Sequence, residues 1–258
     1  MVKGTELAKH QKTTAEVLVD CLKAEGVKIV FGIPGEENLD LMFALKDSGI
    51  RFITTRHEQG AAFMADVYGR LTGHAGVCLA TLGPGATNLV TGVADAFLDG
   101  APLVAITGQV SSELMQLTSH QYLDLSAMFN PITKRSKVIM RPDTVAEIVR
   151  LAFKYAESPK SGATHIDLPK NIAHMPSSAK PLHRQQVPEL YADPTSVIEA
   201  AKLISLAKNP LILAGAGAVR SNAGEAVRSM AERLHIPIVQ TMMGKGIVPW
   251  DLPWRLGV

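Results

Sequence analysis

Arg56-His57-Glu58-Gln59 stands between an apolar run and a helical stretch, and it places an acid, Glu58, at the junction. A carboxyl there admits two readings. It can serve the helix, as a negative charge at the positive end of the macrodipole. It can also exchange a proton with a bound heterocycle. His57 alone reads as structural. A second junction carries Gly83-Pro84-Gly85-Ala86-Thr87-Asn88. Its glycines permit positive φ and close approach of a ligand to the backbone, or they simply make a tight turn. The run lacks the Lys-Ser/Thr of a P-loop and the third glycine of a dinucleotide fingerprint. Gly215 and Gly217, in LILAGAGAV, read as a plain turn or as a weak nucleotide signal. Lys134, in PITK, reads as a solvated lysine at a strand end.

Short β-rich runs alternate with helical stretches to position these residues. Val17, Leu18, Cys21 and Leu22 predict a helix over 14–25 that stops at Gly26. Strands are expected at 27–31, 50–54, 76–82 and 102–108, and helices at 36–47, 57–72 and 86–98. Residues 109–131 hold only a short helical stretch and read as an excursion over the face where the loops collect. Strands at 132–139 and 164–168 flank a helix over 142–157, with Pro142 at its start. Strands apolar throughout, each followed by a helix, indicate an α/β fold, a doubly wound parallel sheet covered on both faces. Ligands in such folds collect beyond the carboxyl ends of the strands, here in loops 32–36, 55–58 and 83–88.

Residues 171–193 hold three prolines and little periodicity and read as a linker between a domain over 1–170 and a second over 194–258. The second pattern has helices at 195–208 and 221–235 and strands at 210–214 and 236–241, and no element is assigned to its last stretch. Two strands make no stable sheet of this kind. The expectation is therefore a second domain cut off partway and a chain that is a fragment.

Composition excludes several classes. Of 258 residues, 47% are hydrophobic and 19% charged, which suits a packed core and not a disordered chain. Lys and Arg number 26 against 24 Asp and Glu, with no basic stripe, so no nucleic-acid partner is expected. No apolar run approaches the roughly 18 residues of a membrane span, and the first residues have no signal-peptide core. Cys21 and Cys78 lie in apolar segments and fit a reducing, cytoplasmic compartment.

FGIPGEENLDL, RHEQGAAFMADVYGRLTG and GPGATNLVTGVADAFLDGAPLVAITGQV occur in this order and spacing. Together they resemble the pyrimidine-binding domain of thiamine diphosphate enzymes, in particular the acetolactate (acetohydroxyacid) synthase large subunit. The resemblance runs from about residue 13 to the end of the chain. It implies that Glu58 hydrogen-bonds N1′ of the cofactor's aminopyrimidine and favours the imino tautomer, whose nitrogen takes the proton from the thiazolium C2. A carboxyl in a dry site with no cationic partner is held toward the protonated form that such sharing needs. The resemblance also implies that Pro84 and Asn88 line the pyrimidine pocket and that Gln121 lies on the thiazolium side. Gly35 would border the substrate space and Lys134 its entrance.

His120 stands where many biosynthetic synthases have Phe and, with AMFNPITK, is similar to the flavin-independent catabolic synthases. It would polarise a bound keto acid or fill space. Lys160 stands where flavin-binding members tend to carry an Arg contacting phosphate, and Lys keeps the charge without the bidentate fork. TMMGKGIVP and the LG at 256–257 instead resemble the flavin-contacting part of the biosynthetic enzymes. That would set Thr241, Met242, Met243, Leu256 and Gly257, with Gly215 and Gly217, near FAD. The sequence leaves FAD open.

The family's third domain binds Mg²⁺ and the diphosphate through a Gly-Asp-Gly…Asn motif, and no such motif occurs here. Metal ligands are not expected from these residues, and they would supply half a site with weak or no affinity alone. For the intact enzyme the resemblance implies decarboxylation of pyruvate and carboligation to a second 2-keto acid, giving 2-acetolactate for branched-chain amino-acid biosynthesis. It also implies a homodimer or tetramer and leaves a regulatory small subunit open. The alternatives are a sister thiamine diphosphate-dependent decarboxylase or carboligase, and a non-catalytic truncated chain.

Overall fold

The computed structural model describes residues 11–184 and 191–258. The chain divides into two compact units, at residues 1–187 and 188–258. The first opens with α1 (Thr14–Ala24), whose N-cap Thr13 forms a capping box with Glu16. Then follow β1 (Ile29–Gly32), α2 (Leu39–Lys46) behind a 3-10 turn, β2 (Arg51–Thr54), α3 (Glu58–Thr72) and β3 (Gly76–Ala80). α4 (Pro84–Asp99), β4 (Leu103–Gln109), α5 (Leu125–Phe129), β5 (Ser136–Val138), α6 (Val145–Glu157), β6 (Ala163–Pro169) and α7 (Lys170–His174) complete it.

The six strands form one sheet in the order β2-β1-β3-β4-β6-β5, and every pair is parallel. Successive side chains of a strand point to opposite faces, and the buried set divides accordingly. Val77, Leu79, Val104, Ile106 and Ile166 pack with α1, α2 and α6. Cys78, Ala80, Leu103, Ala105 and Ala163 pack with α3, α4 and α5. Small residues on the second face, with Ala61, Ala62 and Ala65 of α3, let that helix lie close to the sheet. Arg70 of α3 ties the layer further, reaching Asp66, Asp95 and Asp99 at 2.9 Å each.

The second unit holds α8 (Pro194–Leu206), β7 (Ile212–Ala214), α9 (Ala216–Arg220), α10 (Gly224–Leu234), β8 (Ile238–Gln240) and β9 (Arg255–Gly257). Its sheet runs β7-β8-β9, all parallel. The core is small: Ala214, Ala231, Ile238, Val248 and Leu252.

Three expectations need correction. Residues 171–184 are not linker: α7 buries Ile172 and Ala173, and Ser177 bonds to Lys12 and Pro142. Prolines there end the helix but leave backbone groups that the first unit satisfies. The second unit has three strands, because Arg255–Gly257 pairs with β8; a three-residue strand carries no visible alternation. The plain turn expected at Gly215 and Gly217 opens a short helix, α9, and the helix expected over 221–235 is α10, which starts only at Gly224, after Ser221-Asn222-Ala223 with Asn222 at φ 54°. The readings of residues 1–10 and 185–190 lie outside the described residues. Among the described residues no helix is long and apolar enough to cross a membrane.

Candidate functional site

Because all six strands are parallel, their carboxyl ends share one edge. Glu58 opens α3 there, just past β2. The cap of α3 is His57, whose Nδ1 accepts from the backbone N–H of Gln59 at 3.1 Å. The Glu58 side chain is therefore not needed as the cap. It is 9% exposed, and its Oε2 accepts from Asn88 Nδ2 at 2.9 Å. Asn88 lies one turn into α4, which starts at Pro84 after Gly83.

Close backbone approaches gather the other loops. Gly83 has φ 52°, and a Cβ there would come within 2.7 Å of the Gln121 carbonyl oxygen. A Cβ at Gly85 would lie 2.9 Å from Thr81 Cγ2 and 3.5 Å from Glu58 Oε1, so the missing side chain keeps a cradle open beside the carboxyl. A Cβ at Gly35 would come within 2.5 Å of Thr81 Cβ. Thr81 Oγ1 in turn donates to Glu37 Oε2 at 3.0 Å. Gly35, Glu58, Pro84, Asn88 and Gln121 are thus brought to one edge.

His120 is exposed and close enough for its charge to act on Glu36. Lys170, at the carboxyl end of β6, pairs with Glu36 at 2.7 Å. Their hydrogen bond holds the Glu36 carboxyl below its ordinary range and raises the lysine. Sequence reading passed over Lys170, although a lysine directly after a strand, in DLPK, was a usable signal.

Lys134 sits elsewhere. It precedes β5, its backbone N–H bonds to Ala163 at the start of β6, and its Nζ donates to the carbonyls of Ser158 and Lys160 at 2.9 and 2.7 Å. This is the amino edge of the sheet, opposite Glu58, and the structure does not bring the two together within the first unit. Burial lowers the Lys134 pKa. Lys160 is exposed in the same loop.

In the second unit, Gly215, Gly217, Thr241, Met242, Met243, Leu256 and Gly257 also share one carboxyl edge, that of β7, β8 and β9. Thr241 Oγ1 accepts from Gly244 N–H at 3.1 Å, and Gly217 faces open space. Gln240, 2% exposed at the same edge, has a buried Nε2 with no hydrogen-bond partner. Among the described residues no group of three or more His, Cys, Asp and Glu side chains is arranged to hold a metal.

A parallel sheet with a buried carboxyl–amide pair and glycine cradles on its carboxyl edge is the form of a cofactor-binding domain. Residues 12–128 match the family model of the thiamine pyrophosphate enzyme N-terminal TPP binding domain, and residues 197–258 match that of the central domain. The chain belongs to the thiamine pyrophosphate enzymes. It is 44% identical over 251 residues to the probable acetolactate synthase large subunit of Methanocaldococcus jannaschii, covering 95% of this chain and 42% of that protein. It is 39% identical over 255 residues to the acetolactate synthase of Bacillus subtilis, covering 96% of this chain and 45% of that protein. The catabolic acetolactate synthase of Raoultella terrigena is 39% identical over 238 residues, covering 92% and 43%. The chain therefore spans less than half the length of these relatives.

Proposed function

We propose that this chain serves thiamine diphosphate-dependent acetolactate synthesis, in which pyruvate is decarboxylated and joined to a second 2-keto acid. The observation that carries the reading is the Glu58–Asn88 pair beside Gly85, within the segment that matches the TPP binding domain. When bound, thiamine diphosphate supplies the carbon nucleophile and the electron sink. The chain's own residues fit the cofactor's aminopyrimidine end. Asn88 donates to Glu58 Oε2 and orients the carboxyl, so that Oε1, on the Gly85 side, holds or hands over a proton at a ring nitrogen. Burial excludes water from that exchange. Pro84 and the Gln121 loop wall the same edge, and Gly35 and His120 border the space for the keto acid. The diphosphate end and its Mg²⁺ are assigned to other parts of the assembly.

The names of the relatives favour pyruvate, and the term large subunit favours a regulatory small subunit. We assign the protein to the cytoplasm and to a homodimer or tetramer. The test is acetolactate formation from pyruvate by the enzyme as the cell makes it, with thiamine diphosphate and Mg²⁺. Glu58→Gln is expected to lower turnover at least about 100-fold, within the range for loss of a general acid–base group. Near-normal turnover in that variant would overturn the assignment.

The second unit favours an additional reading. The unpartnered Gln240 Nε2, beside Gly215 and Thr241, suits a ligand with hydrogen-bond acceptors, and FAD is the proposal there. Flavin absorbance in the purified enzyme would support it; enzyme active without flavin and unable to bind it would remove it.

A further inference from the structure

A chain of buried polar side chains crosses the first unit and meets the loop of the candidate site at its Gln109 end. Ser126 of α5 lies 3.3 Å from Ser136 Oγ, which lies 2.8 Å from His165 Nδ1. His165 Nε2 lies 2.8 Å from Thr107 Oγ1, which donates to Asp167 Oδ1 at 2.7 Å. Gln109 Nε2 donates to Asp167 Oδ2 at 3.2 Å and to the Leu123 carbonyl at 3.1 Å, while Gln109 Oε1 accepts from Val110 N–H at 3.0 Å. Gln109 thereby grips both ends of the loop that carries His120 and Gln121. Phe129 stacks on His165 with ring centroids 4.1 Å apart.

Proton counting allows this chain only two directions. With Asp167 ionised, Thr107 donates to it and must accept from His165 Nε2–H. Nδ1 then accepts from Ser136, and Ser136 accepts from Ser126. With Asp167 protonated, its proton sits on Oδ1, because Oδ2 accepts from Gln109. Thr107 then donates to Nε2, Nδ1–H donates to Ser136, and Ser136 donates to Ser126. We propose that Asp167 is a positioning residue for the loop over residues 110–123 and that its protonation reverses the whole chain, switching the tautomer of His165. The balance is one proton: it enters at half-buried Ser126, each link passes its own proton on, and Asp167 takes up the last.

The group energetics agree. Burial pushes Asp167 up to about 7 and His165 down to about 3, so the ring stays neutral in both states. Few charges face Asp167. Asp124, ahead of α5, opposes its ionisation. On α6, Arg150 pairs with Glu25 and Glu157 with Arg184. On α7, Lys170 pairs with Glu36 and His174 faces Asp40. The acids of α4 are held by Arg70, Lys137 of β5 is exposed, and β4 and α5 carry no titratable side chain.

The tie to the thiamine reading is only that the gripped loop carries Gln121; the test uses no cofactor or turnover, so either idea can fail without the other. Imidazole ¹⁵N NMR of the 258-residue chain should show neutral His165 as the Nε2–H tautomer at high pH and the Nδ1–H tautomer at low pH. Asp167→Asn, which donates from its amide to Thr107 in place of the protonated acid, should hold the Nδ1–H form at every pH. Gln109→Ala should speed amide exchange at 111–123 by about tenfold or more while β3 amides stay unchanged, as expected for freeing one local unit. An unchanging tautomer in the parent chain, a switch that persists in Asp167→Asn, or unaltered exchange in Gln109→Ala would each overturn the proposal.

Discussion

The two units use the same grammar, strand then glycine turn then helix, and arrive at different structures. In the first, Gly83-Pro84-Gly85 leads from β3 into α4, and the loop is pressed against Thr81, Gln121 and Glu58. In the second, Gly215-Ala216-Gly217 leads from β7 into α9, and Gly217 meets nothing within 4 Å. The cores differ likewise. α1, α3, α4 and α6 each bury a full stripe, whereas α8 buries no residue and leaves Leu203 72% exposed. What the difference teaches is that a motif acquires its meaning from what packs on it. A glycine is obligatory only where backbone or ligand occupies the place of its Cβ.

Substitutions can break this contrast. Phe153 in α6 is 1% exposed, and Phe153→Ala should cost about 3–5 kcal/mol in urea unfolding. Leu203→Ala in α8 should stay within about 0.5 kcal/mol; equal costs would mean that α8 is packed after all. The glycines give the next effect. Gly83→Ala demands a positive φ and a clash with the Gln121 carbonyl, and should destabilise by about 2–4 kcal/mol. Gly217→Ala, inside α9 with open space around it, should stabilise by about 0.5–1 kcal/mol.

The smallest effect is one of pH. Asp167 rises from 3.8 to about 7 through burial, so between those values the folded chain keeps a proton that the unfolded chain has lost. Stability from this group is full at low pH and falls as pH rises from about 4 to about 7. Glu25, pushed up to about 7 by burial against the pull of Arg150, acts in the same direction. His165 opposes both between about 3 and 6.5, where the unfolded chain binds a proton that the folded one refuses. Asp167→Asn removes one share. Relative to the parent, its urea midpoint should rise from pH 4 to pH 7, by about 1–3 kcal/mol in stability. A flat difference would mean that Asp167 is ionised throughout. In the second unit Gln240 is the buried polar residue among those described, so a comparable dependence is not expected there.

The sequence by itself determined the α/β class, the parallel sheet and the edge on which Glu58, Asn88 and Gly83 meet. Apolar strand runs and helix periodicity are local signals, and in a parallel sheet every carboxyl end falls on one side. Only the tertiary structure decided the rest. It set Lys134 on the far edge, because β5 begins only at Ser136 and leaves the lysine ahead of the strand, where its Nζ is held by the Ser158 and Lys160 carbonyls. It drew residues 171–184 onto the first unit and added Arg255–Gly257 to the second sheet, through backbone hydrogen bonds that leave no trace in side-chain pattern. It also joined Asp167 to Gln109 and His165. Buried polar partners come from different strands, and their register is a long-range property that no local run of residues encodes.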